Sequence, residues 1–211
     1  MNIVFFGSSI TLGAWDAEGG WVTRLRRHFD EGFIKGGDYS QPYIDIYNLG
    51  IDADHAERIL ARLDAELSTK RVERRSDIVV FEIGINDTHL KHGEYTSMPE
   101  KFAGDIKKIS DIAKRYVDNV VFLNILPCDE KLVNPVLWDD EVFYTNERIE
   151  IFNKVLEGFC SDNNVGLVDV HTPFLQEYKK TKLLADGLHP NSEGHKLIAD
   201  VVLEKLKRMI K

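Results

Sequence analysis

Short apolar runs alternate with longer amphipathic stretches along this chain of 211 residues. The runs are rich in β-branched and aromatic residues, and the stretches repeat apolar residues at the spacing of one helix face, so they predict strands and helices respectively. The predicted strands are Asn2–Phe6, Tyr43–Asn48, Asp77–Ile83, Asn119–Ile125 and Val165–Val170. The predicted helices are Trp21–Glu31, His55–Leu67, Glu100–Tyr116, Tyr144–Cys160 and Ser192–Met209.

The third run is continuously apolar from Ile78 to Phe81, which is typical of a strand buried on both faces. Strands that alternate with helices predict right-handed crossovers and a parallel sheet covered on both sides. We therefore predict an α/β fold of three layers, α/β/α, with five parallel strands in the flavodoxin-like order 2-1-3-4-5. No linker, repeat or low-complexity segment interrupts the pattern, which predicts a single domain over residues 1–211.

Composition and charge narrow the choice of partner. The chain is 43% apolar and 29% charged, as ordinary globular proteins are, and its net charge is -8. Nucleic-acid binding depends on neutralising phosphates, so an acidic chain is a poor candidate for it. The basic run Lys70–Arg75 is interrupted by Val72 and Glu73 and is typical of a solvated helix end. We expect a small-molecule substrate and no nucleic-acid partner.

The cysteines and the N-terminal segment indicate the cellular compartment in which the protein works. Cys128 and Cys160 do not make a disulfide framework and are typical of free thiols in a reducing cytosol. The N-terminus lacks a basic n-region, and its apolar run is too short for a signal peptide or a membrane span. We therefore expect a cytoplasmic protein with no stable membrane association.

Polar residues follow the predicted strands. In open parallel sheets, ligands bind beyond the carboxyl ends of the strands. The segments at this edge are Gly7-Ser8-Ser9, Leu49-Gly50, Gly84-Ile85-Asn86-Asp87, Leu126-Pro127 and Asp186-Gly187-Leu188-His189-Pro190. Their serine, asparagine, aspartate and histidine side chains predict a functional site at this edge.

These residue types suit acyl transfer by a serine. A serine hydroxyl attacks a carbonyl when a base takes its proton and a third group holds that base. Asp186 and His189 are three residues apart, so the carboxylate can reach the imidazole within one turn. Candidate donors to the oxyanion are the N–H of the nucleophile, the N–H of Gly50 and the side-chain amide of Asn86. Taken one at a time, these residues are also typical of turns and helix caps.

A metal site is the competing chemical interpretation. His89 and His92 with Asp87 are conceivable ligands, but their spacing matches no common site. We expect neither a metal nor an organic cofactor, and we assign Asp87 a structural role.

The segments, in this order, resemble the marker blocks of the SGNH, or GDSL-type, hydrolase superfamily of esterases and lipases. The matching blocks are Gly7-Ser8-Ser9-Ile10-Thr11, Asn48-Leu49-Gly50, Gly84-Ile85-Asn86-Asp87 and Asp186-Gly187-Leu188-His189-Pro190. The resemblance implies that Ser9 is the nucleophile, His189 the base and Asp186 the acid that orients it. It also implies the SGNH hydrolase fold and an oxyanion hole made by Ser9, Gly50 and Asn86.

The first block departs from the superfamily's pattern at two positions. Ser8 stands where aspartate is usual, and Ile10 stands where leucine is frequent. That aspartate is not the acid of the triad, so its replacement leaves the chemistry intact. We predict that the Ser8 hydroxyl bonds the backbone of the loop after the first strand.

Residues outside the blocks carry weaker signals. His195, six residues after His189, is more typical of a packing or capping histidine. The longest irregular stretch, residues 126–143, has a length that is often functional. Tryptophans are more typical of a core, but Trp15 and Trp138 lie in loops at the same sheet edge and are the two candidates to line a pocket.

The leading hypothesis is hydrolysis of a small, soluble, short-chain ester, such as an acetylated carbohydrate, through an acyl-enzyme on Ser9. An acyltransferase, which passes the acyl group to a sugar or another alcohol instead of water, uses the same residues. A binding module on a hydrolase-like scaffold is the alternative outside catalysis, although a site without activity would be free to lose these side chains.

Overall fold

The computed structural model describes residues 1–36, 43–70 and 77–210. Its strands are β1 (Asn2–Gly7), β2 (Asp45–Gly50), β3 (Ile78–Glu82), β4 (Leu90–Lys91), β5 (Glu94–Tyr95), β6 (Asn119–Leu123), β7 (Val142–Phe143) and β8 (Gly166–Val168). Five of them form a parallel sheet in the order β2-β1-β3-β6-β8. The predicted five-stranded sheet and its flavodoxin-like order are confirmed.

The helices form the two outer layers. They are α1 (Ser9–Leu12), α2 (Gly20–Gly36), α3 (Ala56–Ser68), α4 (Ile85–Thr88), α5 (Pro99–Tyr116), α6 (Glu130–Val133), α7 (Asn146–Asn163), α8 (His171–Tyr178) and α9 (Ser192–Met209). Helix α2 packs on α9, whereas α3 packs on α5 and α5 on α7. From β1 to β2 the chain moves toward one edge of the sheet, and the later crossovers move toward the other edge. Because crossovers are right-handed, α2 and α9 lie on one face of the sheet, and α3, α5 and α7 lie on the other.

Neighbouring residues of β1 anchor the two layers. Phe5 packs edge-on against Trp21 of α2, with ring centroids 5.1 Å apart. On the other face, Phe6 stacks on Phe81 at 5.5 Å, and Phe81 stacks on Phe122 at 5.1 Å. These five side chains are fully buried. The aromatic ladder across β1, β3 and β6 therefore fixes the strands that carry the functional edge.

Several elements lie outside the predicted pattern. Strands β4, β5 and β7 form a small antiparallel sheet in which Leu90 faces Tyr95 and Phe143. Each of these strands has two residues, which is too short to show an alternation of polar and apolar positions. The stretch 126–143, expected to be irregular, contains α6 and ends in β7. Helix α8 was also not predicted.

The basic run Lys70–Arg75 is only partly described. Lys70 follows the end of α3 and pairs with Glu66 at 3.3 Å, while residues 71–75 lie outside the described residues. Within the described ranges, no helix combines the length and apolar character that crossing a membrane requires.

Candidate active site

The turn after β1 presents Ser9. This serine is the first residue of α1 and is 5% exposed. Ser8 caps the helix, and its Oγ accepts a hydrogen bond from the N–H of Ile10 at 3.4 Å. The predicted bond between the Ser8 hydroxyl and the local backbone is confirmed. In the part of the chain that the structure describes, the N–H of Ser9 has no acceptor and is free to bind a ligand.

A buried carboxylate lies beneath this turn. The Oε2 atom of Glu82, at the end of β3, accepts hydrogen bonds from Thr11 Oγ1 at 2.8 Å and from Ser8 Oγ at 3.3 Å. Thr11 comes this close because Gly7 has no side chain; a Cβ there would lie 2.0 Å from Thr11 Oγ1. Burial raises the pKa of Glu82 to about 7, although these hydrogen bonds favour its ionised form. Glu82 of the neighbouring strand β3 thus stabilises the turn that carries Ser9.

Ser9, His189 and Asp186 form a continuous chain of contacts. Ser9 Oγ lies 3.0 Å from His189 Nε2, and His189 Nδ1 lies 2.7 Å from Asp186 Oδ2. An ionised carboxylate only accepts hydrogen bonds, so Nδ1 carries the proton of the neutral ring. His189 Nε2 is then the acceptor that faces the serine hydroxyl. The three predicted triad residues are therefore brought together in the order that acyl transfer needs.

The turn before α9 fixes the Asp186 carboxylate. Its Oδ1 atom accepts hydrogen bonds from the N–H groups of Leu188 at 2.9 Å and His189 at 2.8 Å. Gly187 takes the turn at φ 96°, in the left-handed region that favours glycine. Burial opposes ionisation of Asp186, but the bonds from the His189 side chain and from the two N–H groups outweigh it and lower the pKa of this carboxyl. Asp186 is thereby held as the anion that orients the imidazole.

Asn86 lies at the same edge, in the short helix after β3. Its side chain lines the cavity in front of Ser9 and is 6% exposed. Nδ2 donates to the carbonyl oxygen of Asp54 at 2.9 Å, and Oδ1 accepts from the hydroxyl of Tyr144 at 3.0 Å. The amide has two N–H bonds, so one remains for a ligand. Asn86 thus occupies the place expected of an oxyanion donor.

The structure differs from the prediction at Gly50. Its N–H donates to Asn48 Oδ1 at 3.0 Å, and Gly50 does not line the cavity. The glycine is needed for packing, because a Cβ at this position would lie 2.3 Å from the N atom of Leu12 in α1. Asn48 also donates from Nδ2 to the carbonyl of Thr11 at 2.9 Å. This pair of residues therefore supports the turn that carries Ser9 and does not face the cavity.

Ala53, three residues after Gly50, has the features that were expected of Gly50. It lines the cavity, and its φ of 57° is left-handed. Among the described residues its N–H has no hydrogen-bond acceptor. An alanine gives no sign of a left-handed conformation in the sequence, which is why sequence reasoning chose the nearby glycine instead.

A cavity of about 350 Å³ opens in front of the triad. Its lining consists of Ser9, Ala14, Trp15, Asp52, Ala53, Asn86, Trp138, Tyr144, Leu188 and His189. The rings of Trp15 and Trp138 lie 5.8 and 5.7 Å from the imidazole of His189. Both tryptophans are more than half exposed, at 64% and 53%. The prediction that these two residues line a pocket is confirmed.

The remaining residues that the sequence singled out have structural contacts. His195 is fully buried, and its Nε2 lies 3.2 Å from the carbonyl oxygen of Ala14, as suits a packing histidine. Asp87 accepts hydrogen bonds from the N–H of Ala56, at the start of α3, at 3.1 and 3.2 Å. His89 Nε2 bonds Thr96 Oγ1 at 2.8 Å. No group of metal-ligating side chains that could hold an ion occurs in the described ranges.

An α/β/α sheet with this set of side chains at its carboxyl edge is the arrangement of an ester hydrolase. The chain belongs to the GDSL-like lipase/acylhydrolase family, whose family model matches residues 5–197. Its class is that of a carboxylic ester hydrolase, and the predicted resemblance to GDSL-type hydrolases is confirmed.

Individual relatives match from about two thirds to nearly all of the chain. The GDSL esterase/lipase CPRD49 of Arabidopsis thaliana is 26% identical over 219 residues, which cover 98% of this chain and 78% of the relative. The isoamyl acetate-hydrolyzing esterase of Saccharomyces cerevisiae is 26% identical over 148 residues, 64% of this chain and 60% of that protein. The crystal structure of an acetyl xylan esterase, AlAXEase, matches with a TM-score of 0.75 at 22% identity and covers 98% of this chain and 100% of its own. This last match shows the shared fold.

Proposed function

We propose that the protein hydrolyses short-chain esters through a covalent acyl-enzyme on Ser9. One observation carries this proposal: a single chain of contacts runs from Ser9 Oγ to His189 Nε2 at 3.0 Å, and from His189 Nδ1 to Asp186 at 2.7 Å. Each distance is within reach of a proton transfer or a strong hydrogen bond. The chain of contacts supplies a nucleophile, its base and the group that orients the base.

The reaction follows from these positions. Ser9 Oγ attacks the ester carbonyl carbon while His189 Nε2 takes the hydroxyl proton. The bond to the alcohol oxygen then breaks, and the imidazolium returns its proton to the leaving alkoxide. Water, deprotonated by His189, then attacks the acyl carbon. The bond to Ser9 Oγ breaks as the imidazolium returns the proton to that oxygen, which releases the carboxylic acid and regenerates the serine hydroxyl. Asp186 stabilises the imidazolium in both halves of the reaction.

Three residues that line the cavity in front of the triad have an N–H group available to a developing negative charge. The N–H groups of Ser9 and Ala53 have no acceptor in the described ranges, and Asn86 has one N–H left over. Donors that are already in place stabilise the oxyanion without reorganisation. We therefore assign the oxyanion hole to Ser9, Ala53 and Asn86, with Ala53 in place of Gly50.

The aromatic residues of the cavity favour a ring-shaped alcohol. His189 protonates the leaving oxygen, so the alcohol part of the ester must lie beside the imidazole that Trp15 and Trp138 flank. Exposed aromatic rings offer flat apolar faces to the C–H face of a sugar, and the nearby Asp52 can accept bonds from its hydroxyls. The structural neighbour named as an acetyl xylan esterase and the relative named for isoamyl acetate both support an acetyl ester. We propose an acetylated carbohydrate as the substrate.

Acyl transfer is a second candidate for the same site. An acceptor alcohol would enter where the leaving alcohol departs, beside the two exposed tryptophans. A site that binds the leaving sugar well also favours a second sugar over water. Product analysis in the presence of a competing alcohol separates transfer from hydrolysis.

We propose that the protein works in the reducing cytosol. Cys128 and Cys160 are both buried and unpaired, which suits a compartment that keeps thiols reduced. The partner implied by the site is a small-molecule ester.

The test of this function is hydrolysis of p-nitrophenyl esters from acetyl to long-chain acyl groups. We expect turnover that is highest for acetyl, is lost in Ser9→Ala, and is kept in Ser68→Ala, a control at the exposed end of α3. Equal turnover in Ser9→Ala would contradict the proposal. A folded protein without activity on any ester would instead favour a binding module.

A further inference from the structure

The amide of Asn86 is held from both ends. Nδ2 donates to the carbonyl oxygen of Asp54 at 2.9 Å, and Oδ1 accepts from the hydroxyl of Tyr144 at 3.0 Å. All three groups are buried: Asp54 is 2%, Tyr144 4% and Asn86 6% exposed. Because these groups are buried, these two bonds decide which way the amide faces.

The direction of the amide matters for an oxyanion donor. If the side-chain amide flips, Nδ2 and Oδ1 exchange places. An amide oxygen aimed at the oxyanion would then repel the negative charge. The carbonyl of Asp54 can only accept, so it selects Nδ2 on its side. The hydroxyl of Tyr144 donates to Oδ1 and holds the opposite end. With both in place, the second N–H of Asn86 Nδ2 is left for the substrate.

Tyr144 is well placed to act on Asn86. Its backbone N–H donates to the carbonyl of Val133 at 3.1 Å, and the next residue, Thr145, caps α7. Its ring lies 5.4 Å from that of His89. Burial raises the pKa of the Tyr144 phenol, so the hydroxyl keeps its proton and remains a donor. The backbone contacts and the packing against His89 thus fix where the hydroxyl points.

We propose that Tyr144 is a positioning residue of the hydrolysis reaction, whose hydroxyl orients the Asn86 amide toward the oxyanion. This inference rests on the proposed function, in which Asn86 is an oxyanion donor. Tyr144 acts through Asn86 and does not itself stabilise the transition state. It also lines the cavity, so direct contact with substrate is the competing role that the test must separate.

The test is a double-mutant cycle with Tyr144→Phe and Asn86→Ala, assayed on p-nitrophenyl acetate. Tyr144→Phe keeps the ring and removes the hydroxyl. We expect it to lower kcat by roughly 3- to 10-fold, which corresponds to the net free energy of one hydrogen bond. KM should stay within about 2-fold of the wild-type value. In the Asn86→Ala background the same substitution should change kcat no further, because the group through which it acts is gone.

Tyr116→Phe is the matched control. It also removes a hydrogen-bonded phenol hydroxyl, which donates to Asp64 at 2.8 Å, but Tyr116 ends α5 at the opposite edge of the sheet. We expect wild-type kcat and KM for it. Each rate is divided by the concentration of active sites, measured by fluorophosphonate labelling run to completion. Unfolded molecules in a preparation therefore do not lower the apparent kcat.

Three outcomes would overturn the proposal. Wild-type kcat in Tyr144→Phe would show that the hydroxyl is not needed. An equal loss in both backgrounds would show that Tyr144 does not act through Asn86, and a rise confined to KM would show a substrate contact. Failure of the proposed function is seen separately, as full activity in Ser9→Ala.

Discussion

Ser9 Oγ lies 3.0 Å from His189 Nε2, although 180 residues separate them in the sequence. The parallel sheet brings them together, because Ser9 follows β1 and the His189 turn reaches the same edge before α9. Asp186 reaches His189 locally, three residues away, at 2.7 Å. The site thus combines one long-range contact set by the fold with one short-range contact set by a turn.

The Asp186 carboxylate should be needed for its charge and for the ring tautomer that it selects. Asp186→Asn keeps an oxygen for the N–H groups of Leu188 and His189 but offers an amide to the imidazole. We expect kcat to fall on the order of 10³- to 10⁴-fold. Steady-state kinetics on p-nitrophenyl acetate checks this, with the exposed Asp111→Asn on α5 as the control. A loss below tenfold would exclude Asp186 as the orienting acid.

Loss of the Asn86 amide should act on the transition state. Asn86→Ala removes one oxyanion donor, and we expect kcat to fall by about 10²- to 10³-fold, about 3 kcal/mol, while KM changes little. The exposed Asn163→Ala, at the end of α7, serves as the control. The same kinetic assay would refute the assignment if the variant showed a raised KM at normal kcat.

The exposed tryptophans should recognise the alcohol part of the ester. Trp15→Ala and Trp138→Ala remove the flat faces beside His189. From the free energy that aromatic ring contacts usually contribute, we expect each substitution to raise KM for an acetylated xyloside by roughly 2- to 10-fold. KM for ethyl acetate, whose alcohol is too small to reach the rings, should stay unchanged. An equal rise for both substrates would argue against a sugar subsite.

Burial of Glu82 should make stability depend on pH. The ordinary pKa of a glutamate side chain is 4.5, and that of Glu82 in the fold is about 7, so between these values the folded protein keeps a proton that the unfolded chain has lost. The free energy of unfolding must therefore fall as pH rises through this window, by on the order of 3 kcal/mol from this group. Asp87, whose pKa burial also raises to about 7, contributes in the same direction.

Glu82→Gln isolates this contribution. The amide oxygen can still accept from Thr11, but the residue no longer ionises. Asp87 is present in both proteins, so its effect cancels in the comparison. We expect urea unfolding from pH 5 to 8 to show the variant gaining stability relative to wild type as pH rises. Parallel curves for the two proteins would mean that Glu82 titrates normally.

The sheet could be predicted because its central strands, β1, β3 and β6, are buried on both faces. Continuous apolar runs such as Ile78–Phe81 allow few other structures, and strands alternating with helices leave only a few common topologies. The residues of the proposed triad could be placed because they lie at a strand end or within one turn of each other. The ends of the strands were predicted less accurately. The second strand begins and ends two residues later than predicted, at Asp45–Gly50.

The proposed oxyanion donors could not be fully predicted, because they depend on backbone direction. Gly50 faces α1 and Ala53 faces the cavity, yet nothing in the sequence tells which N–H lacks an acceptor. Tyr144 and Glu82 were missed for a similar reason. Their roles come from contacts across 58 and 71 residues, to Asn86 and Thr11. Only the assembled sheet edge shows such pairings.

The most direct test of the central claim is covalent labelling with a fluorophosphonate, read by intact-protein mass. An activated serine displaces fluoride and gains one phosphonyl group, whereas an ordinary serine does not. We predict one label on the wild-type protein, one on Ser8→Ala and none on Ser9→Ala. Labelling of Ser9→Ala to the same extent, or loss of the label only in Ser8→Ala, would contradict the assignment of Ser9 as the nucleophile.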